Sequence, residues 1–270
     1  MFMNIDGYLK AFERWVKDNP YVGTTEKHRP ATDFFPQPIA QEELQRLIRA
    51  LEDSGSIKKH RYWYWGKYIS YLINEACPEK EIELEVRYPF EHFGLYNTKT
   101  LIINGNLGNY AGARMQEGLL IIEGDVGTGL GDYMIGGKIE VRGNADGGAG
   151  SYMKGGEILI KGDAGPSLGM RMEGGYIKVE GNAKDYAGYG MRGGRIRIKG
   201  DAGDYPGSDM KGGVLIVEGN VGKEVGGDIL WSDMGMKGGE IHIGGNYKSI
   251  SEYVKGGCIY HKGILVNKRL

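Results

Sequence analysis

The residue types able to do acid–base, metal or nucleophilic chemistry do not gather in this sequence. Its five histidines, His28, His60, His92, His242 and His261, are scattered, and each reads as a solvated or cap histidine. Cys77 and Cys258 lie far apart, in no CxxC or Cys/His spacing, which argues against a disulfide framework and against a structural zinc or iron–sulfur site. Both are expected as small buried apolar residues. A column of Asn and Asp residues, Asn106, Asp125, Asn144, Asp163, Asn182, Asp201 and Asn220, recurs at one position of a repeat. It is not a calcium column, because calcium needs several oxygens converging on one ion, and the Gly-Gly-x-Gly-x-Asp nonapeptide of calcium-binding β-helices is missing. The stretch GTGLG at 127–131 looks like a phosphate loop, but its glycines fall on the same repeat and neither a helix N-terminus nor a lysine–serine pair follows. No catalytic residue, cofactor or metal site is expected.

The elements that carry these residues are set by a period of 19. A unit reading x-I-x-V-x-G-N/D-A-x-x-x-x-G-x-x-M-x-G-G starts at Thr100, Leu119, Lys138, Glu157, Tyr176 and Arg195, 19 residues apart each time. A seventh copy from Val214 is longer by seven residues, an eighth from Glu240 is one residue short, and Cys258 opens a partial copy. Apolar residues at the second and fourth positions, such as Ile139 and Val141 or Ile158 and Ile160, alternate with mostly polar ones, as in a half-buried strand. The Gly-Asn/Asp pair that follows predicts a bend at the same place in every copy, with glycine accepting positive φ. Small residues such as Ala145, Ala164, Ala183 and Ala202, a further glycine, and a methionine (Met115, Met134, Met153, Met172, Met191, Met210, Met236) complete the unit.

So short a unit buries its apolar face only by stacking on copies of itself. The expected fold is a right-handed parallel β-helix of about eight 19-residue rungs over 95–270, the right hand following from the chirality of parallel crossovers. Stacked at about 4.8 Å, the turn column never places two carboxylates on adjacent rungs. The column before the glycine, Glu123, Arg142, Lys161, Glu180, Lys199 and Glu218, offers opposite charges at several adjacent rungs.

Residues 1–94 are glycine-poor and predict an α-helical cap or docking region. Leu9, Phe12, Trp15 and Val16, then Leu44, Leu47, Ile48 and Leu51, fall at helical spacing. A third helix is expected around Gly66–Ala76, and Ile82, Leu84 and Val86 alternate as a strand leading into the first rung. A solenoid needs its ends covered, and the aromatic run Tyr62, Trp63, Tyr64, Trp65 is the candidate partner contact of this region. Two further surfaces are candidates. One is a basic stripe after the methionines, Lys154, Arg192, Lys211, Lys237 and Lys255, interrupted by Glu173 and suited to an acidic protein partner. The other is the insertion EVGGDILWSD in the seventh rung, which adds Ile229, Leu230 and Trp231.

With 34 basic and 35 acidic residues the net charge is −1, so no global field draws nucleic acid or an anionic membrane. Neither a signal peptide nor a transmembrane run is expected, and the protein is placed in the cytoplasm.

The strings MKGGEILIKGDAG (153–165), MRGGRIRIKGDAG (191–203) and MKGGVLIVEGNVG (210–222) resemble the glycine-patterned domain found in the C subunit of formylmethanofuran dehydrogenase, to which the C-terminal domain of the large glutamate synthase subunit is also similar. The resemblance spans 95–262. It implies a β-helix without catalytic residues that braces other protein subunits in one-carbon metabolism: a metal-dependent amidohydrolase and a molybdenum or tungsten oxidoreductase. Two other readings stay open. One is a homo-oligomeric structural paralogue that associates through its N-terminal helices. The other is a carbohydrate-active β-helix enzyme, which would need paired carboxylates or a calcium-assisted base in a groove.

Overall fold

The alternating tetrapeptides become the strands of one sheet. A computed structural model describes Gly7, 10–12, Arg14, 38–53, 62–227 and 235–267, with backbone alone for Tyr62, Trp63 and Tyr64. Ten strands pair in parallel, each with the strand one rung away. They are β1 (Glu81–Glu85), β2 (Thr100–Asn104), β3 (Leu119–Ile122), β4 (Lys138–Val141), β5 (Glu157–Ile160), β6 (Tyr176–Val179), β7 (Arg195–Ile198), β8 (Lys211–Val217), β9 (Lys237–Ile243) and β10 (Gly256–His261). The chain is a parallel β-solenoid of nine turns, one between each consecutive pair of these ten strands. The strand expected to lead into the first rung is itself the first parallel strand, β1, with Glu81 opposite Thr100. A second, shorter line of parallel bridges runs Leu107, Val126, Ala145, Ala164, Ala183, Ala202, Val221 and Tyr247 up the rod.

Equivalent residues form continuous internal columns. The second and fourth strand positions, Ile139 and Val141 through Ile196 and Ile198, are fully buried, as are the seven methionines that close the interior from Met115 to Met236. An unbranched thioether fills the irregular space where the coil turns back toward the next strand.

The Gly-Asn/Asp pair works differently from the sequence expectation. Gly124, Gly143, Gly162, Gly181, Gly200 and Gly219 are absent from the positive-φ set, so backbone freedom is not what they supply. A Cβ on each would stand 2.1–2.4 Å from the side-chain oxygen of the Asn or Asp one rung earlier. That oxygen accepts the backbone N–H of the next Asn or Asp: Asn144 N to Asp125 at 2.7 Å, Asp163 N to Asn144 at 2.8 Å, Asn182 N to Asp163 at 2.7 Å. Glycine makes room for the ladder. The alternation of Asn with Asp follows too, because the Asn144 and Asn182 amides also donate to the preceding Asp, at 3.2 and 3.3 Å. By contrast, Gly131, Gly150 and Gly169 do turn at φ 63–69°, where a Cβ would also meet a core isoleucine.

Both sheet edges are closed by the chain itself. The expected second and third helices form as α1 (Gln41–Asp53) and α2 (Tyr62–Tyr71), the latter running into a π-helical turn, Leu72–Ala76. Helix α1 buries Leu44, Leu47, Ile48 and Leu51. Its Gln41 and Gln45 meet the free edge of β1: Glu83 N donates to Gln41 Oε1 at 3.2 Å, Glu85 N to Gln45 Oε1 at 2.7 Å, and Gln45 Nε2 to Glu85 O at 2.8 Å. Glu52 Oε1 accepts the N–H groups of Arg87 and Tyr88 just beyond the strand. At the other end β11 (Ile264–Leu265) folds back antiparallel on β10, and the Asn267 side chain accepts from Ile259 N and donates to Gly257 O. Of the expected first helix, Gly7, Lys10, Ala11, Phe12 and Arg14 are described and helical, while Leu9, Trp15 and Val16 lie outside the described residues.

Candidate docking surfaces

On the outside of the turns from His92 to Glu224 two corner positions recur in the left-handed conformation, and several of the side chains there form ladders. Arg114, Tyr133, Tyr152 and Arg171, on four successive rungs, have φ of 54–57°. For non-glycine residues this costs about 1 kcal/mol each, offset by aiming each N–H at the next rung: Tyr133 N donates to Ser151 O at 2.9 Å and Tyr152 N to Met170 O at 2.8 Å. Outside, the Tyr133 and Tyr152 rings stack at 4.8 Å and 4°. Arg114 lies over Tyr133 at 5.3 Å and Arg171 over Tyr152 at 5.8 Å, and Arg171 Nη1 donates to the Tyr152 hydroxyl at 3.0 Å. The result is a cation–aromatic–aromatic–cation stack, each cation contact contributing about 0.5–1 kcal/mol. At the other corner Tyr186 and Tyr205 stack at 4.9 Å with Lys223 over Tyr205, and His92 stacks on Tyr110. Tyr and Arg are the residue types enriched at the centres of protein interfaces. This flank is not among the surfaces expected from the sequence, although the 19-residue spacings of Tyr133 with Tyr152 and of Tyr186 with Tyr205 are a signal for it.

The seam between α2 and the rod gathers four ionisable groups. Burial, with the nearby Arg114 guanidinium, lowers the Lys67 amine to about 8. Burial, with Lys67 beside it, lowers His92 to about 3. Burial raises the Asp132 carboxyl to about 6, against the pull of Arg114. A shallow hollow near this seam is lined by Tyr71, Asn74, Glu75, Tyr96, Thr98 and Gln116.

The residues singled out in the sequence are dispersed. Trp65 is 2% exposed and stacks on Phe12 at 3.3 Å, so its ring belongs to the interior of the cap. The side chains of Tyr62, Trp63 and Tyr64, and all of Ile229, Leu230 and Trp231, lie outside the described residues. Lys154, Arg192, Lys211, Lys237 and Lys255 form an exposed column, as expected. Part of its charge is met at home: Arg192 faces Glu173 at 3.8 Å, and Asp209 pairs with Lys211 at 3.2 Å and Lys237 at 2.6 Å.

The charged column beside the turn forms the cross-rung pairs expected of it, Arg142 with Glu123 at 3.7 Å and Lys199 with Glu180 at 3.3 Å. The Lys178 hydrogen bond first, then that from Lys199, brings Glu180 down to about 2. Glu218 pairs instead with Arg197, at 2.6 Å.

The buried Cys77 thiol is pushed up to about 12, by burial first and then by its hydrogen bond to Glu79. Cys258 departs from expectation: it opens the last rung at an outward strand position and is only half-buried. His242 points outward, stacked on Tyr260 and 2.9 Å from Glu240, and half-buried His261 bonds the Gly245 carbonyl at 2.8 Å. Among the described residues no group of three or more His, Cys, Asp and Glu could hold a metal ion, and no helix is long and apolar enough to cross a membrane. No protein-family model matches the chain, and no curated protein matches it.

Proposed function

We propose that this protein is a non-catalytic scaffold that docks and braces enzyme subunits, in the manner of the C subunit of formylmethanofuran dehydrogenase, which its glycine-patterned strings resemble. The observation that carries the reading is the Arg114–Tyr133–Tyr152–Arg171 ladder on the flank of the rod. Rings held at both faces by their neighbours lose little freedom when a partner covers their edges, which favours binding. Closure of both sheet edges supports the same reading, because a rod that cannot grow by strand pairing leaves its sides for other proteins. By this reading the partners are a metal-dependent amidohydrolase and a molybdenum or tungsten oxidoreductase, and the setting is cytoplasmic one-carbon metabolism.

The test is affinity purification of the tagged chain from its native host in mild salt, with mass spectrometry of what stays bound. Recovery of both enzyme classes is expected. Recovery of the chain alone, as a defined oligomer, would overturn the assignment and favour a self-associating paralogue.

A further inference from the structure

On the outward face of the parallel sheet the two ends of a seven-strand stretch carry opposite charge, acidic on β1 and basic on β7. Position by position, β1 presents Glu81, Glu83 and Glu85, all exposed, and six rungs away β7 and the residue after it present Arg195, Arg197 and Lys199, also exposed. Between them, Glu123 follows β3 and Lys161 follows β5, each with an apolar residue two positions earlier, Ile121 and Leu159. The mirror strand is β4. Strand pairing is in register from β1 to β7, so each outward column is continuous.

We propose that this face binds a second copy of the chain about a twofold axis running along β4. Such an axis keeps strand direction and sets β1 of one protomer against β7 of its partner, and β3 against β5. Glu81, Glu83 and Glu85 then meet Arg195, Arg197 and Lys199, Glu123 meets Lys161, and Ile121 meets Leu159, each contact made twice by symmetry. Strand β2 crosses β6 with Ile102 over the stem of Lys178, Thr100 against Tyr176 and Asn104 against Glu180, and Leu119 of β3 faces Glu157 of β5. Only β4 meets its own copy, and there Lys138, Glu140 and Arg142 each face their own like charge across the axis. Four acid–base pairings on each side stand against those three like-charge contacts, and because Glu85, Glu123, Lys161, Arg197 and Lys199 also hold ion pairs within the protomer, each pairing adds only a modest gain.

Six rung spacings by about 15 Å of strand give a face of roughly 30 by 15 Å, so the dimer buries on the order of 1,000 Å² in all, at the lower bound for a specific interface. Association is therefore weak and salt-dependent. The tyrosine flank stays uncovered, so the inference does not rest on the scaffold reading, and either stands if the other fails.

The test is sedimentation equilibrium of the full chain with two charge-reversal variants, R195E/R197E and E81K/E83K, each checked for folding by circular dichroism. The wild type is expected to dimerise in low salt and to weaken at least tenfold in high salt. Each variant alone sets like charges across the dyad and stays monomeric, while an equimolar mixture restores the dimer, because both strand crossings become attractive again. A wild type that is monomeric at millimolar concentration overturns the proposal, as does a variant that dimerises like the wild type or a mixture of folded variants that does not associate. Should a reversal unfold the chain, the neutral R195A/R197A variant decides: a dimer at least tenfold weaker supports the interface, and unchanged affinity overturns it.

Discussion

The smallest unit of this fold is an oxygen and the glycine that makes room for it. Asp163 Oδ1 accepts Asn182 N at 2.7 Å, and a Cβ on Gly181 would stand 2.3 Å from that same oxygen. Asp163→Ala is therefore expected to lose about 1 kcal/mol, a hydrogen bond's net contribution, and Asp163→Asn to lose less because the acceptor remains. Gly181→Ala should lose more, about 2–3 kcal/mol, but less in the Asp163→Ala background, where the closest of the three clashing contacts is gone. A double-mutant cycle in urea measures that coupling, and additivity would disprove the shared-space account. His92 adds a pH term. Its folded value is about 3 against an ordinary 6.5, so between those limits the unfolded chain binds the extra proton and stability falls as pH drops through the window. His92→Phe should flatten the loss in urea midpoint between about pH 7 and pH 4. Equal slopes would show that His92 is not held neutral.

Among the elements, the strands show what periodicity can convey and the caps what it cannot. Second and fourth positions alternate so regularly that ten strands follow almost without further information. The pairing of Gln41 and Gln45 with the edge of β1 joins residues about 40 apart with no repeating pattern. Their four-residue spacing puts both amides on one face of α1, where they replace the strand that a further rung would supply. Replacing both by alanine leaves two β1 amides without partners, at an expected loss of about 1–2 kcal/mol. It also reopens the edge, so the variant should aggregate faster on heating, a change that light scattering follows. A variant as stable and as well dispersed as the wild type would mean that α1 covers the edge by burial alone.

Taken as a whole, the molecule is a rod with closed ends and sides of different character: a charged sheet face, a basic column, and a tyrosine–arginine flank. Division of labour among these sides is testable. Tyr133→Ala/Tyr152→Ala removes the centre of the ladder and, on the proposed scaffold reading, should reduce recovery of the proposed partner enzymes from the native host at least tenfold, while the proposed self-association, followed by sedimentation, stays unchanged. Equal recovery of partners would move the docking site off this flank.

The repeat was legible because a coil that stacks on itself must restate its core, turn and acceptor positions every 19 residues, so strand register, the methionine column and the Asn/Asp ladder could all be read from the chain alone. What the glycine beside that ladder does was decided only in three dimensions, since the oxygen it avoids belongs to the previous rung. The tyrosine corners were hidden for a related reason: their identity drifts from rung to rung, and only the left-handed backbone at each corner aims the rings outward. Trp65 went the other way, its side chain turned into the cap by packing against Phe12. Local periodicity specifies columns; which columns meet solvent, a cap or a partner depends on contacts between distant segments, and those carry no period.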